Sequence, residues 1–443
     1  MKWILIVAML AAIPVLARFL ASSKAGLRYA AFFMGYLPFG ITQMDLAASP
    51  ITWAGAWLGY VTGIDLTLLD SLALAIVLSG TIKGVKVPLK TGMFCYFGAT
   101  LVSLPFALVL EPAIFYYWQL LRVFLIFVAA TLICSDPERF KLVFYGLVVG
   151  LAIQTISAMN QKLSGVARPK GFFGHPNQVG FMIYMILLPS FAMVLANQRI
   201  KWAWAAVIFS ATCIVFTVSR ASLAFALLGL LVVFILSAAV RWTPHKAKTV
   251  MVAALALAIA TPFASGPIST RLKSTTLVDG EREAFKRAAM SIIDAYPMGV
   301  GGNNYVNIAN TGGYNARAGV SWGSGALRQP PHQTYLLHWA EFSLIGLIGF
   351  VVMLLQMAYV PLATAMKFRR DSRAEFMVGT SAAVMMMGLH CFYEYMFMNF
   401  INQYFIVVGL GMMAGMRHIL MSGAPSAQAA PRPAARSAIT IMR

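Results

Sequence analysis

The residues best suited to chemistry converge on one histidine. His332 follows Pro330 and Pro331 and opens the segment HQTYLLHWAEFSLIG. Two prolines fix the approach of the chain, so the imidazole is held at a helix start. A neutral imidazole can take a proton from an attacking hydroxyl, which Arg or Lys cannot do, and the positive end of a helix dipole favours that neutral form. Arg282 stands near the beginning of DGEREAFKRAAMSIIDAYPMGVGGNNY, residues 279–305, and Arg220 is isolated between two charge-free apolar stretches. Guanidinium groups bind phosphate oxygens in a bidentate way and stay charged at any working pH. A base for a hydroxyl and guanidiniums that suit pyrophosphate are thus candidates for one site. Each residue also has a plain structural reading: Arg220 as an interfacial side chain reaching lipid phosphates, Arg282 on a solvated helix face. His338, deeper and on another face, reads as an interior histidine.

The elements that must position these groups are membrane helices. The chain has 443 residues, 60% hydrophobic and 11% charged, with a mean hydropathy of +0.77. Charge-free runs such as Trp202 to Ser219, Ala221 to Val240, Thr249 to Thr270 and Phe376 to Tyr393 are long enough to cross a bilayer. Twelve or thirteen spans are expected, near 3–20, 28–45, 64–81, 91–110, 114–134, 142–159, 178–197, 202–218, 222–240, 249–265, 334–363, 376–393 and 401–420. Within 279–305, Ala284, Ala288 and Ile292 with Phe285 and Ala289 recur at helical spacing before Pro297, Gly299, Gly301 and Gly302. That pattern predicts a short amphipathic helix ended by a Gly-rich turn.

Short loops rich in Lys and Arg stay cytoplasmic. Lys83, Lys86 and Lys90; Arg139 and Lys141; Arg199 and Lys201; Arg241, Lys246 and Lys248; and Lys367, Arg369, Arg370 and Arg373 mark such loops. Loops 160–177, Ser219 with Arg220, and 266–333 then face outside. The long outer loop carries Arg271, Lys273, Arg282, Lys286, Arg287, Arg317 and Arg328 against Asp279, Glu281, Glu283 and Asp294. Positive charge on the disfavoured side implies an anion to be held. Loop 160–177 adds Lys162, Arg168, Lys170 and His175 with no acid. The first hairpin is expected to be irregular, since Lys2 and the Arg18, Lys24, Arg28 group pull the same way, and a cleaved leader is the alternative reading. The formal charge of +20 reflects this loop bias and a basic end, not nucleic-acid binding. Residues 1–421 form the integral membrane domain, and 422–443, rich in Pro, Ala and Ser, a disordered cytoplasmic tail.

Other polar groups carry less. Arg122 falls in the fifth span with Asp65 and Asp70 near the third, which allows an ion pair inside the bundle. His390 and Glu394 are an i, i+4 pair, but two ligands do not make a metal site, so no metal and no cofactor is expected. Cys95, Cys134, Cys213 and Cys391 read as packing residues. No internal repeat is apparent.

In order and spacing, ARPKGFFGHPNQVG at 167–180, VSRAS at 218–222, the 279–305 segment and HQTYLLHWAEFSLIG resemble the O-antigen ligase and polymerase superfamily over roughly residues 160–350. The resemblance implies an all-α polytopic, GT-C-like membrane fold whose large periplasmic loop carries short helices. It implies His332 as the catalytic histidine, Arg220 and Arg282 as ligands of a donor pyrophosphate, and an inverting, metal-independent glycosyl transfer. Arg168, Lys170, Asn177, Gln333 and Arg122 are further candidates for substrate binding. After the histidine the family has Asn, Ser or Gln, then nine residues and a Gly: Gln333 fits, Ser343 stands where the Gly is expected, and Gly346 fits a later one. The implied partners are an undecaprenyl pyrophosphate-linked glycan donor, a lipid A core or glycan acceptor, and membrane lipids, at a bacterial inner membrane with the site facing the periplasm. O-antigen ligation is the leading reading; a polymerase of lipid-linked repeats, a protein O-glycosylating enzyme and a transporter or flippase are the alternatives.

Overall fold

The computed structural model describes residues 2–52, 59–198, 202–217, 219–251, 254, 276–323 and 325–423. Most of the span expected at 249–265, Arg199 and Lys201, Arg271 and Lys273, and the tail from 424 onward lie outside them. The fold is all-α and polytopic. Among the described residues seven helices are long and apolar enough to cross a membrane. They are α1 (Lys2–Ser22), α5 (Leu110–Ile133), α6 (Pro137–Leu163), α7 (Pro176–Leu195), α9 (Arg220–Val240), α13 (Thr334–Lys367) and α15 (Phe400–Met421). Between them run α2 (Lys24–Met44), α3 (Leu68–Ser79), α4 (Lys90–Leu101), α8 (Ala203–Thr217) and α14 (Glu375–His390). The outer segment contributes α10 (Thr276–Ala295), α11 (Tyr305–Thr311) and α12 (Tyr314–Ala318).

Packing follows the polarity of each helix. In α7 every residue is buried, as expected for a helix apolar all round, and α8, α9, α14 and α15 enclose it. In contrast α9 leaves Leu227, Leu231 and Ile235 exposed, so its outer face is available to lipid. Helices α2 and α6 cross closely because Gly35 and Gly146 face backbone: a Cβ on the first would collide with the Val143 carbonyl, one on the second with that of Phe32.

Two expected spans are shorter than their apolar runs. The third begins only at Leu68, where Thr67 and Asp70 form a reciprocal capping box. Just before it, Gly63–Thr67 pairs antiparallel with Ala47–Thr52 as a two-stranded hairpin, Ala47 opposite Thr67 and Thr52 opposite Gly63. The β-branched Ile51, Thr52, Ile64 and Thr67 suit strand geometry. The fourth ends at Leu101, and the chain turns through Leu104–Phe106, whose Pro105 cannot continue an α-helix.

Helix α13 is broken. Phe342 (φ −119°, ψ 15°) and Ser343 (φ 63°, ψ 179°) are non-helical, which releases the carbonyls of Ala340 and Glu341. The Gly-rich turn takes them up: Val300 N–H donates to Ala340 O and Gly301 N–H to Glu341 O, each at 3.0 Å. Gly299, at φ +84°, must be a glycine, because a Cβ would run into the Glu341 carbonyl. Ser343 lies in a backbone region nearly restricted to Gly. The residue that departs from the family pattern is therefore the one at the break. The fully buried Glu341 side chain extends the junction, accepting the Tyr305 N–H at 3.0 Å and the Tyr60 hydroxyl.

Candidate active site

Helix α10 is the amphipathic helix the spacing predicts. Ala284, Phe285, Ala288, Ala289 and Ile292 are all buried, and the helix lies against α12 and the start of α13. Burial of that face directs Arg282 toward the first turn of α13, where it reaches Glu394. The approach to His332 is pinned from below, since the Asn310 amide donates to Leu327 O at 2.6 Å. The first turn of α13 in turn docks on the end of α14: Thr334 N–H donates to Cys391 O at 2.8 Å and its hydroxyl to Glu394 O at 2.7 Å. Orphan donors at one helix start thus satisfy carbonyls just beyond another helix end, and the exchange brings His332 beside Glu394.

Glu394 is the hub. It is 1% exposed, a burial tolerable only for a carboxylate with full partnering. His332 Nδ1 lies 3.1 Å from Oε2, and Arg282 Nη2 donates to Oε1 at 3.3 Å. Asn177 Nδ2 donates to the same Oε1 at 2.6 Å, and Arg168 Nη2 donates to Asn177 Oδ1 at 3.1 Å. Burial pushes the Glu394 carboxyl up, yet the His332 contact and the nearby His390 and Arg282 outweigh it and hold the group below its usual range. The carboxylate is therefore ionised at neutral pH. An ionised Glu394 accepts the proton of His332 Nδ1 and leaves Nε2 as the nitrogen that exchanges a proton with a substrate.

His332 Nε2 meets the Gln329 amide at 2.9 Å. That contact suits an imidazolium donating to Oε1 and, with the amide turned over, a neutral ring accepting from the NH₂. The ring lies edge-on to Phe285 at 5.9 Å and beside Tyr395 at 5.8 Å, which shields one side. The other side is open. A cleft of about 230 Å³ is lined by Arg282, Lys286, His332, Gln333, Leu336 and Tyr393.

The structure thus brings His332, Arg282, Asn177 and Arg168 into one connected group, with Gln333 at its wall. Lys170 lies on the adjoining loop, its ammonium 3.4 Å from the Gly174 carbonyl. Arg220 is exposed at the first position of α9. It is at the same end of the bundle, for Phe225 packs against His390 and Tyr393 at 5.2 and 5.7 Å. Arg122 is not part of the group. It is buried and donates through Nη2 and Nε to Asp70 Oδ2 at 2.7 and 3.0 Å, with Tyr404 alongside, because an isolated guanidinium in the bundle interior needs a carboxylate. His338 is an interior residue, Nε2 at 2.8 Å from the Tyr96 hydroxyl and Nδ1 at 2.8 Å from Thr334 O. Glu394 and Gln329 are the members that sequence reasoning did not single out. Glu394 stood out only as the i+4 neighbour of His390; an acid at the end of an apolar span was the available signal.

Residues 184–354 match the family model described as O-antigen ligase. The match makes this chain similar, over that stretch, to the O-antigen ligase family. It covers Arg220, Arg282 and His332 as well as the break at Ser343, and stops short of Glu394. No curated protein matches the chain. That likeness favours a ligase- or polymerase-type activity, and the long apolar helices mark a multi-pass membrane protein.

Proposed function

We propose that the protein transfers a glycan from undecaprenyl pyrophosphate to an acceptor hydroxyl on the lipid A core, at the periplasmic face of the inner membrane. The observation that carries this reading is the shared carboxylate: Glu394 holds the candidate base His332 at 3.1 Å and the candidate phosphate ligand Arg282 at 3.3 Å on its two oxygens. Both groups border one cleft. The acceptor O–H loses its proton to His332 Nε2 as its oxygen bonds to the anomeric carbon of the donor's first sugar. The bond from that carbon to the pyrophosphate oxygen breaks, and the electron pair leaves with undecaprenyl pyrophosphate. Attack from the face opposite the leaving group inverts the anomeric centre.

Arg282, which is 37% exposed, is free to swing from Glu394 to the more highly charged pyrophosphate, and Arg220 approaches from the start of α9. Guanidiniums already in place stabilise the charge that develops on the leaving group. They supply the role that a divalent cation plays elsewhere, so the reaction proceeds without a metal. Arg168 adds positive potential through Asn177. As Arg282 leaves, Glu394 keeps Asn177 and His332, and its undivided charge then stabilises the imidazolium formed in the step.

The test is reconstitution of the purified full-length protein with one lipid-linked donor and either lipid A core or a second lipid-linked glycan. Glycan on the core supports ligation. Lengthened chains still on undecaprenyl pyrophosphate identify a polymerase, and movement of the intact donor across liposomes without transfer identifies a transporter.

A further inference from the structure

A second polar cleft lies at the end of the bundle remote from His332. Beyond its break at Ser343, α13 continues as a regular helix to Lys367, roughly 36 Å at about 1.5 Å per residue. The hydrocarbon core of a bilayer is about 30 Å thick, so the far end of α13 reaches the opposite surface. There a cleft of about 300 Å³ is bordered by Arg241, His245, Lys246, Arg369, Asp371 and Glu375, between the ends of α7, α9 and α13. The charge bias of the loops assigns this surface to the cytoplasm.

The charges of the cleft fall into two sets. Lys246, 1% exposed, donates to Glu375 Oε1 at 2.6 Å and to Ser237 O at 2.7 Å, while Glu375 Oε2 accepts the Ser237 hydroxyl at 2.6 Å. Asp371 is clasped by Arg373, whose Nη2 and Nε reach its two oxygens at 2.6 and 3.1 Å and whose N–H bonds Oδ1 at 2.9 Å. Both carboxylates are thereby neutralised by their own neighbours. Arg241 and Arg369 form the second set. They are exposed, border the same cleft, and have no carboxylate within ion-pair distance among the described residues. Arg241 spends one donor on Arg370 O at 3.2 Å, which fixes it against the α13–α14 connection. His245 uses Nε2 on Val194 O and the Thr249 hydroxyl. The rest of the lining sets Asn197, Thr243 and Ser372 beside Leu195 and Ala196, and Trp242 is 59% exposed next to Arg241, a residue type that sits at headgroup depth.

We propose that this cleft binds the phosphate of an anionic phospholipid, with Arg241 and Arg369 as its ligands and the buried Lys246–Glu375 pair as the scaffold that holds the three loops around it. Two guanidiniums with no counter-charge among the described residues, at headgroup depth, match a phosphodiester in charge and donor geometry. The exposed side of α9, with Leu227, Leu231 and Ile235, accommodates acyl chains. The site lies across the membrane from His332 and does not depend on the proposed transfer reaction.

Phosphatidylglycerol is titrated into the full-length protein in phosphatidylcholine nanodiscs, with bound lipid read by native mass spectrometry. The variants are Arg241→Gln with Arg369→Gln, and as control Lys83→Gln with Lys86→Gln. The control removes two exposed charges from the α3–α4 connection, which the same charge bias assigns to that surface. The expected result is phosphatidylglycerol binding roughly thirtyfold weaker in the arginine variant and unchanged in the control. Equal binding by the arginine variant and the parent, or equal loss in both variants, overturns the site. A further arm adds inorganic phosphate at matched ionic strength. Displacement of the lipid at concentrations comparable to its own overturns the lipid assignment in favour of free phosphate.

Discussion

Glu394→Gln isolates charge from shape at the centre of the site. The carboxylate accepts three donors, Asn177 and Arg282 on Oε1 and His332 on Oε2, and a glutamine of the same shape offers one oxygen and one NH₂. Asn177 makes the short bond, at 2.6 Å, and has no other role for its NH₂, so the amide oxygen settles on that side. Its NH₂ then faces His332 Nδ1 and forces that nitrogen to accept. The ring proton moves to Nε2, and the nitrogen that must take the acceptor's proton is occupied. General base catalysis contributes about 10²- to 10⁴-fold, so transfer should fall by that factor, equivalent to about 3–5 kcal/mol in the barrier. Stability should fall less, by about 1–3 kcal/mol for the disturbed buried hydrogen bonds. The assay is single-turnover transfer of lipid-linked glycan in nanodiscs, with thermal unfolding of the same preparations. A folded Glu394→Gln protein within threefold of the parent rate, or one whose loss is all in KM, would refute the assignment of the tautomer to Glu394.

The remaining predictions use other parts of the structure. Ser343→Gly relieves a backbone conformation that costs a non-glycine residue about 1–3 kcal/mol, so it should raise the unfolding midpoint in detergent while leaving the transfer rate near that of the parent. Arg122→Leu strands Asp70 in the bundle and should cost about 3–5 kcal/mol, and the double variant with Asp70→Leu should recover most of it in denaturant titrations. Because the Glu394 carboxyl is held below its ordinary value of 4.5, its contribution to stability is present above that value and lost as pH falls through the folded pKa. Unfolding measured from pH 6 to pH 3 should show this loss in the parent and not in Glu394→Gln. Arg282→Lys keeps the charge but loses the planar fork, and should raise KM for the pyrophosphate donor more than it changes stability, in steady-state kinetics.

Much of this protein is legible in its sequence. Apolar runs without charge located the membrane helices, because backbone in a bilayer must bond internally and side chains must match lipid. The spacing of Ala284, Phe285, Ala288, Ala289 and Ile292 located α10 and its buried face, and the motif order pointed to His332 and Arg282. Hydropathy misjudged the ends of α3 and α4, where the Thr67 and Asp70 capping box and Pro105 decide the boundary locally. It also passed over the strand at Ala47–Thr52, whose partner Gly63–Thr67 lies further along the chain.

Tertiary structure alone decided what surrounds the histidine. Glu394 is 62 positions from His332 and Asn177 is 217 from Glu394, and nothing local in either segment selects the other. They meet because the first turn of α13 spends its free donors on the carbonyls that follow α14, and because Pro176 starts α7 with Asn177 pointing at the same place. The break at Ser343 belongs to the same class. A serine in an apolar helix carries no sign of a positive φ; the Gly299–Gly301 turn, fitted to the carbonyls of Ala340 and Glu341, imposes it. Residue type and periodicity specify elements that satisfy themselves. A site assembled from the unsatisfied ends of several elements is specified only by their packing.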